Sequence, residues 1–207
     1  MYNPVKNFYR QFGNPKGLTG EFVGYLLALK NQRRTDWVIS LMNIESGDKI
    51  LEIGYGPGIA VEKITKILTT GSITGIDISS VMQKQAFKRN LSEIKKGKAR
   101  LSKGSIDSLG LNEKFDKIFG INVHLFWKDP VGEIVKLKQH LNNDGQIILA
   151  LQPRYVKSDT LVMKEAEKTK NYFQEAGMEV IKFKFKTAKP ISIFYVAAKC
   201  NVKGNSL

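Results

Sequence analysis

One stretch of the sequence limits the possible folds more than any other. The apolar run Lys49–Ile53 is followed by glycine at three alternating positions, Gly54, Gly56 and Gly58, and residues 61–68 then carry apolar side chains at helical spacing. This pattern predicts a buried strand, a tight turn and a helix. Glycine has no side chain to keep a ligand away from the backbone, so the turn is a candidate binding site.

The same strand-to-helix alternation continues through most of the chain. Further strands are predicted over residues 72–77, 100–104, 115–121 and 146–151, with helices over residues 58–68, 79–94 and 131–141. Alternation of this kind predicts an α/β fold, in which a parallel sheet has right-handed crossovers and helices on both faces. A helix over residues 159–176 is followed by strands over residues 179–186 and 191–198, whose short link predicts an antiparallel hairpin.

Length and composition set the expectations for domain organisation. The 207 residues are 42% hydrophobic and suit a single domain with a core of its own. We expect residues 1–43, with helices over residues 19–29 and 35–42 and several aromatic side chains, to form an N-terminal lid on a binding domain of residues 44–207. The single cysteine, Cys200, and the lack of a signal-like or bilayer-length apolar run favour a soluble cytoplasmic protein.

The chain is strongly basic, with 33 Lys and Arg against 19 Asp and Glu and a net charge of +14. Such a charge raises the question of a nucleic-acid or anionic-surface partner. The basic residues, however, are spread over predicted helices and strands, where they alternate with apolar positions. Solvated faces explain that distribution well, so the charge alone does not decide the partner.

Two acidic residues near the glycine turn indicate what kind of ligand it binds. Asp77 follows Gly58 by 19 positions (77 − 58), close to the spacing of about 20 residues expected of an acid that accepts hydrogen bonds from ribose hydroxyls. A dinucleotide fingerprint starting at Gly54 would need its third glycine where the chain has Ile59. Glu52, two positions before the first glycine, suits a ligand with a charged amine and would repel a pyrophosphate.

The stretches Leu51–Gly58 and Gly75–Ser79 resemble the first and second motifs of class I S-adenosylmethionine-dependent methyltransferases, in the branch that acts on small molecules. The resemblance covers residues 44–151, and the C-terminal hairpin fits the reversed last strands of that family. It implies a Rossmann-like, doubly wound sheet of seven strands in the order 3-2-1-4-5-7-6, with the last strand antiparallel. It also implies S-adenosyl-L-methionine as the cofactor, bound across the C-terminal edges of strands 1, 2 and 4.

The same resemblance implies a set of cofactor-binding residues. The acid and glycines of the first motif would line the methionine half, Asp77 would hold the ribose hydroxyls, and Ile78 would lie against adenine. After strand 3 the chain departs from the family, because Ser105 replaces an aspartate that many small-molecule members carry; whether Ser105 or Asp107 contacts adenine stays open. The full set is Glu52, Ile53, Gly54, Tyr55, Gly56, Gly58, Asp77, Ile78, Ser105, Ile106 and Asn122.

The exit of strand 4 and the loop after strand 5 supply the candidates for the acceptor side. His124 lies close to the expected methyl donor, and a neutral imidazole there would either take a proton from a nucleophile or pack in the pocket. The other histidine, His140, is expected at the surface. His124 is the candidate catalytic residue, and the acceptor-binding candidates are Tyr9, Phe12, His124, Trp127, Arg154 and Tyr155.

These features predict S-adenosylmethionine-dependent methyl transfer to a small-molecule acceptor. The resemblance implies an in-line displacement without a metal or a covalent enzyme intermediate, driven by positioning and desolvation, to which well-oriented groups contribute on the order of 7–11 kcal/mol. The alternatives left open are methylation of RNA, methylation of a lipid at an anionic membrane surface, and a non-catalytic cofactor-binding protein. Against RNA, residues 121–124 lack the Asn/Asp-Pro-Pro-aromatic pattern of base methyltransferases. No obligate protein partner is evident.

Overall fold

The computed structural model describes residues 32–110 and 112–200. The first 31 residues of the lid expected over residues 1–43, including Tyr9, Phe12 and the helix over residues 19–29, lie outside the described residues. Residues 32–41 are helical and are called α1, where the sequence predicts a helix over residues 35–42. The chain divides into two compact units, Met1–Gly110 and Leu111–Leu207.

In the first unit, three parallel strands alternate with two helices. β2 lies between β1 and β3 and pairs with both of them in parallel, for example Glu52 with Gly75 and Ile76 with Ser102. Most side chains of β1 and β2 are buried on both faces of the sheet, as expected of parallel strands covered by helices. In chain order the elements are β1 (Lys49–Ile53), α2 (Ile59–Ile64), β2 (Ser72–Asp77), α3 (Ser80–Lys95) and β3 (Ala99–Lys103).

Helix α2 ends at Ile64, earlier than the predicted end at residue 68. The Lys98 Nζ donates hydrogen bonds to the carbonyl oxygens of Thr65, at 3.2 Å, and Leu68, at 2.8 Å. The N–H groups of residues 69–71 all donate to the carbonyl oxygen of Ser46. The N–H groups of residues 65–68 still donate to carbonyl oxygens of residues 61–64, whereas those from Thr69 onward have their acceptor outside the helix. The chain therefore leaves the last helical turn at Leu68 and turns toward β2.

The second unit combines two parallel strands with an antiparallel hairpin. Side chains cap both of its helices: Asp129 Oδ1 accepts from the N–H of Gly132 at 2.9 Å, and Ser158 Oγ accepts from the N–H of Leu161 at 3.3 Å. β4 and β5 pair in parallel, whereas β7 runs antiparallel to both β5 and β6. The elements are β4 (Phe115–Ile121), α4 (Pro130–Lys138), β5 (Leu141–Leu151), α5 (Asp159–Glu175), β6 (Met178–Lys186) and β7 (Ile193–Cys200).

The strand order of the sheet is β3-β2-β1-β4-β5-β7-β6. This order and the antiparallel last strand confirm the predicted seven-stranded, Rossmann-like fold. β5 begins at Leu141 rather than at residue 146, because Leu141 pairs with Phe115 before an irregularity in the register between Phe115 and Lys117. The predicted helix before it is correspondingly shorter and ends at Lys138.

In the part of the chain that the structure describes, no helix has both the length and the apolar character needed to cross a membrane. Residues 32–110 and 112–200 also contain no cluster of three or more His, Cys, Asp or Glu side chains arranged to hold a metal ion. Cys200, the last residue of β7, is a free cysteine of intermediate exposure.

Candidate active site

The glycine turn between β1 and α2 is open on one side and tightly packed on the other. Gly56 has a φ of +52°, and a Cβ placed there would meet no atom of the described residues within 4 Å. Gly58 has a φ of +78°, and a Cβ there would lie 2.5 Å from Asn90 Nδ2 and 2.9 Å from the Cβ of Ala86. Both backbone conformations favour glycine, and the open space at Gly56 lets a ligand approach the main chain.

Asp77, the last residue of β2, fixes the turn through its carboxylate. Its Oδ2 accepts a hydrogen bond from the N–H of Gly56 at 2.9 Å, and its Oδ1 accepts one from the N–H of Ser79 at 2.8 Å. Burial raises the pKa of Asp77, and the two backbone N–H groups oppose that rise. A carboxylate oxygen accepts more than one hydrogen bond, so both oxygens keep capacity for the hydroxyl groups of a ligand.

Glu52 lies in β1 with its carboxyl group enclosed by the fold. The residue is 4% exposed, and its Oε2 is buried without a hydrogen-bond partner among the described residues. Burial raises the pKa of Glu52 to about 8, and the nearby charge of Asp77 adds to the rise. At neutral pH this carboxyl is therefore mostly protonated, and a cation that reached it would lower its pKa again.

The remaining members of the predicted cofactor set occupy different surroundings. The buried Tyr55 side chain points to β3, where its hydroxyl donates to the carbonyl oxygen of Ser102 at 3.1 Å. Tyr55 therefore contributes its backbone to the turn, while its ring ties the turn to the sheet. Ile53 and Ile106 are buried, whereas Ile78 is 57% exposed and offers an apolar surface next to Asp77.

The two candidates for contact with adenine interact with each other. The Ser105 hydroxyl donates to Asp107 Oδ2 at 3.5 Å, where the chain enters a short 3₁₀ turn over Ile106–Ser108. The carbonyl oxygen of Ser105 accepts from the Ser108 hydroxyl at 2.6 Å, which holds the turn in place. Both Ser105 and Asp107 are exposed, so either side chain is accessible to a ligand.

In the second unit, Asn122 joins the ends of two strands. Its φ of +61° is left-handed, a conformation that asparagine tolerates better than most residues. Its Oδ1 accepts from the N–H of Gln152 at 2.8 Å, and its own N–H donates to the carbonyl oxygen of Ala150 at 2.8 Å. Gln152 is buried and donates through Nε2 to the carbonyl oxygen of Ile191 at 2.8 Å. The sequence places Gln152 in the loop after strand 5 that is predicted to line the pocket, but it does not reveal these contacts, because the partners lie far apart along the chain.

His124 is 5% exposed and packs between apolar and polar neighbours. Its ring centroid lies 6.2 Å from those of Trp127 and Phe194. Its Nε2 is 3.3 Å from Thr169 Oγ1, and the Thr169 hydroxyl donates to the carbonyl oxygen of Glu165 at 2.9 Å. Because the Thr169 hydroxyl donates its single hydrogen to Glu165, it is able to accept a hydrogen bond from His124 Nε2 in the tautomer that carries the proton there.

The protonation of His124 follows from these surroundings. Burial lowers its pKa to about 4, and the charge of Lys168 contributes further. Nδ1 is buried and has no hydrogen-bond partner in the described part of the chain. The imidazole is therefore neutral at physiological pH and is enclosed by its neighbours, which limits its access to a substrate.

The other acceptor-side candidates are more accessible. Tyr155 is 39% exposed, and Trp127 is half-buried. Arg154 Nη2 donates to Gln152 Oε1 at 3.5 Å, which connects it to the junction of the strand ends. Tyr9 and Phe12 lie outside the described residues.

The prediction that His140 lies at the surface is wrong. Helix α4 ends at Lys138, so His140 leaves the helix and enters the sheet region instead of occupying an exposed helical face. Its Nδ1 lies 3.0 Å from the carbonyl oxygen of Glu113, and its own carbonyl oxygen accepts from the N–H of Phe115 at 2.8 Å. These contacts leave His140 only 8% exposed.

Comparison with known proteins identifies the family to which the chain belongs. Residues 50–145 match the family model described as a methyltransferase domain. The chain is 33% identical over 185 residues to the uncharacterized methyltransferase YdaC of Bacillus subtilis (strain 168). The aligned region covers 85% of this chain and 97% of that relative. The protein belongs to the class I S-adenosylmethionine-dependent methyltransferases.

Solved structures show how widely this methyltransferase fold is used. The N-methyltransferase NodS from Bradyrhizobium japonicum WM9, in complex with S-adenosyl-L-homocysteine, superposes with a TM-score of 0.66 at 15% identity, covering 82% of this chain and 87% of that one. The [4+2]-cyclase SpnF superposes with a TM-score of 0.67 at 15% identity, covering 82% of this chain and 81% of that one. At such identities the likeness supports the fold of this methyltransferase and not its acceptor.

Proposed function

We propose that this methyltransferase binds S-adenosyl-L-methionine at the glycine turn and transfers the methyl group to a small-molecule acceptor. The observation that carries the proposal is the buried carboxyl oxygen of Glu52, which has no partner among residues 32–110 and 112–200, next to a turn that is open at Gly56. The cofactor, when bound, supplies an electrophilic methyl group on a positively charged sulfur. The residues of the chain have to bind it, orient it and exclude water.

Glu52 is suited to the amino group of the cofactor. A buried polar atom without a partner costs free energy that a matching ligand group recovers. An ammonium group would supply both hydrogen-bond donors and a positive charge, which stabilises the ionised carboxylate. The residues present at the turn therefore fit the cofactor, and we expect its binding to be coupled to ionisation of Glu52.

Asp77 is suited to the ribose. Its carboxylate is already held by the N–H groups of Gly56 and Ser79, so little reorganisation is needed when hydroxyl groups arrive. Ser105 or Asp107 would meet the polar edge of the base. Ile78, with 57% of its surface exposed, would cover the face of the base.

For the acceptor side, we infer that His124 is a packing residue rather than a general base. A histidine with a pKa of about 4 is a weak base at neutral pH. Its Nε2 is engaged with Thr169, and its ring lies against Trp127 and Phe194. Positioning of the acceptor and exclusion of water then supply the acceleration, with Trp127, Arg154 and Tyr155 as candidate contacts.

The substitution Glu52→Gln tests the amino-group role. In wild-type protein near pH 6.5, binding of S-adenosylhomocysteine should release about one proton, because the neutral Glu52 carboxyl ionises on meeting the ammonium group. Glu52→Gln keeps the shape but cannot ionise, so proton release should vanish and affinity should fall by about tenfold or more. Calorimetry in two buffers of different ionisation enthalpy measures both quantities.

The matched control is Glu175→Gln, an exposed change at the end of α5 that should alter neither the proton release nor the affinity.

The pH dependence of folding stability gives a second test of the protonation of Glu52. The folded pKa of Glu52, about 8, exceeds its ordinary value of 4.5, so its contribution to stability is present below pH 4.5 and is lost as the pH rises through 8. Glu52→Gln should therefore reduce the change in folding stability between pH 4.5 and pH 8. Wild-type binding without proton release would contradict the assignment.

Methyl-transfer assays with labelled cofactor test the acceptor class. We expect turnover with a small-molecule acceptor to be unchanged by ribonuclease and by vesicles that contain phosphatidylserine. RNA binding that weakens steeply with salt, together with ribonuclease-sensitive turnover, would favour an RNA acceptor instead. Turnover that requires the vesicles would favour a lipid.

A further inference from the structure

Helix α3 holds the glycine turn through two neighbouring side chains. Asn90 Nδ2 donates to the carbonyl oxygens of Gly58, at 3.1 Å, and of Ala86, at 2.9 Å. Arg89 Nε donates to the carbonyl oxygen of Pro57 at 2.9 Å. One helix therefore binds the carbonyl groups of two consecutive residues of the turn.

Asn90 occupies an unfavourable position to make these contacts. It is 2% exposed and interrupts α3, with a φ of −107° and a ψ of 15° that are not helical. Two carbonyl acceptors require both N–H bonds of its amide, so Oδ1 must face away, and it is buried without a partner in the described ranges. Distorted backbone and unpaired polar atoms both oppose folding, and such features concentrate at functional sites.

The contact between α3 and the turn leaves no spare room. A Cβ at Gly58 would lie 2.5 Å from Asn90 Nδ2 and 3.0 Å from the Cα of Ala86. At Gly56 the corresponding space is empty to 4 Å. The helix thus supports one side of the turn, while the other side stays open to a ligand.

The carbonyl contacts also fix the neighbouring N–H groups, because the peptide unit is planar. The Pro57 carbonyl shares a peptide plane with the N–H of Gly58, which donates to the carbonyl oxygen of Tyr55 at 3.0 Å. The Gly58 carbonyl oxygen also accepts from the N–H of Glu62 at 3.1 Å. Without Asn90 and Arg89, each of the two planes would keep a single backbone hydrogen bond, and the turn would sample other shapes. A ligand would then bind only the fraction of molecules with the competent shape, and its apparent affinity would fall by that fraction.

We propose that Asn90 and Arg89 are positioning residues that hold the glycine turn in the shape required for S-adenosylmethionine, without contacting it. This inference rests on the proposed binding of the cofactor at the turn. It assigns to α3 a role in cofactor affinity in addition to its role in covering the sheet.

The test compares Asn90→Leu with wild-type protein by two measurements. Calorimetry with S-adenosylhomocysteine should show an affinity lower by about tenfold, as expected for the loss of a hydrogen bond that selects the competent shape. Hydrogen exchange of the ligand-free protein should show faster exchange of the Glu62 amide, which donates to the Gly58 carbonyl oxygen at 3.1 Å, by about tenfold. Ile134→Val, which removes one buried methylene in α4, controls for general destabilisation and should change neither quantity by more than about twofold.

Arg89→Met provides a second, independent variant at an exposed position, should Asn90→Leu fail to fold. Arg89 also forms an ion pair with Glu62 at 3.2 Å, so Glu62→Gln serves as its control and should retain full affinity. We expect Arg89→Met to weaken binding by about threefold, in line with one exposed hydrogen bond.

The outcomes separate the two proposals. Wild-type protein that does not bind S-adenosylhomocysteine overturns the proposed function. Wild-type protein that binds, with folded Asn90→Leu and Arg89→Met variants that bind equally well, overturns only the positioning role. If Ile134→Val lost as much affinity as Asn90→Leu, the positioning role would be overturned as well, because general destabilisation would then explain the weaker binding.

Discussion

Replacing Gly58 by alanine should destabilise the protein by about 3 kcal/mol, because a strained backbone and a steric clash would occur at the same position. The backbone there has a φ of +78°, which L-residues with a side chain rarely adopt, and the new Cβ would lie 2.5 Å from Asn90 Nδ2 and 2.9 Å from the Cβ of Ala86. The strained backbone and the steric clash would therefore both lower the free energy of unfolding. For a chain of this size the melting temperature should fall by roughly 6–12 °C, measurable by calorimetry or circular dichroism.

Two other glycines with positive φ serve as matched controls. Gly97 has a φ of +73°, and a Cβ placed there would meet nothing within 4 Å, so Gly97→Ala should show the backbone strain alone, about 1 kcal/mol. Gly56→Ala should cost a similar amount of stability, because its Cβ is also unobstructed at a φ of +52°. Unlike Gly97→Ala, it should weaken cofactor binding, since the Cβ enters the space proposed for the ligand. Equal stability losses at positions 58 and 97 would contradict the packing argument.

Replacing Asp77 by alanine should weaken S-adenosylhomocysteine binding by about a hundredfold. Two charge-assisted hydrogen bonds to the ribose would be lost, each contributing roughly 1.5 kcal/mol or more. The N–H groups of Gly56 and Ser79 would also lose their acceptor, so the shape of the turn would no longer be fixed before binding. Calorimetry at constant salt measures the affinity directly.

Asp144→Ala is the appropriate control for Asp77→Ala. It removes the same charge from an exposed position in the second unit, where no cofactor contact is proposed. Its affinity for S-adenosylhomocysteine should stay within about twofold of wild type, since exposed charges are screened by salt. If Asp77→Ala bound as tightly as Asp144→Ala, the ribose assignment would have to be abandoned.

Much of the architecture could be predicted because its causes are local. The switch from the apolar run of Lys49–Ile53 to helical spacing, and its repetition along the chain, predicted the parallel strands and their crossovers. Element ends were predicted less well, because contacts between distant residues decide them. Lys98 binds the carbonyl groups of Thr65 and Leu68, past the end of α2, and pairing with Phe115 extends β5 to Leu141.

Some features of the candidate site could likewise be predicted from the sequence, and others are visible only in the structure. Glycine spacing and the carboxylates of Glu52 and Asp77 were visible in the sequence, because residue type alone indicates what a turn of this kind can bind. The sequence did not reveal that Asn90 supports Gly58, since the two residues are 32 positions apart. Their contact exists only because α3 packs against the turn.

The sequence by itself determined the fold class, the family resemblance and the two acids at the glycine turn, because short-range patterns of glycine, apolar and acidic residues are sufficient for each. Only the tertiary structure decided the protonation of Glu52 and His124. Enclosure from water raises the pKa of Glu52 to about 8 and lowers that of His124 to about 4. Desolvation depends on everything packed around a side chain, so it arises only when distant segments of the chain come together.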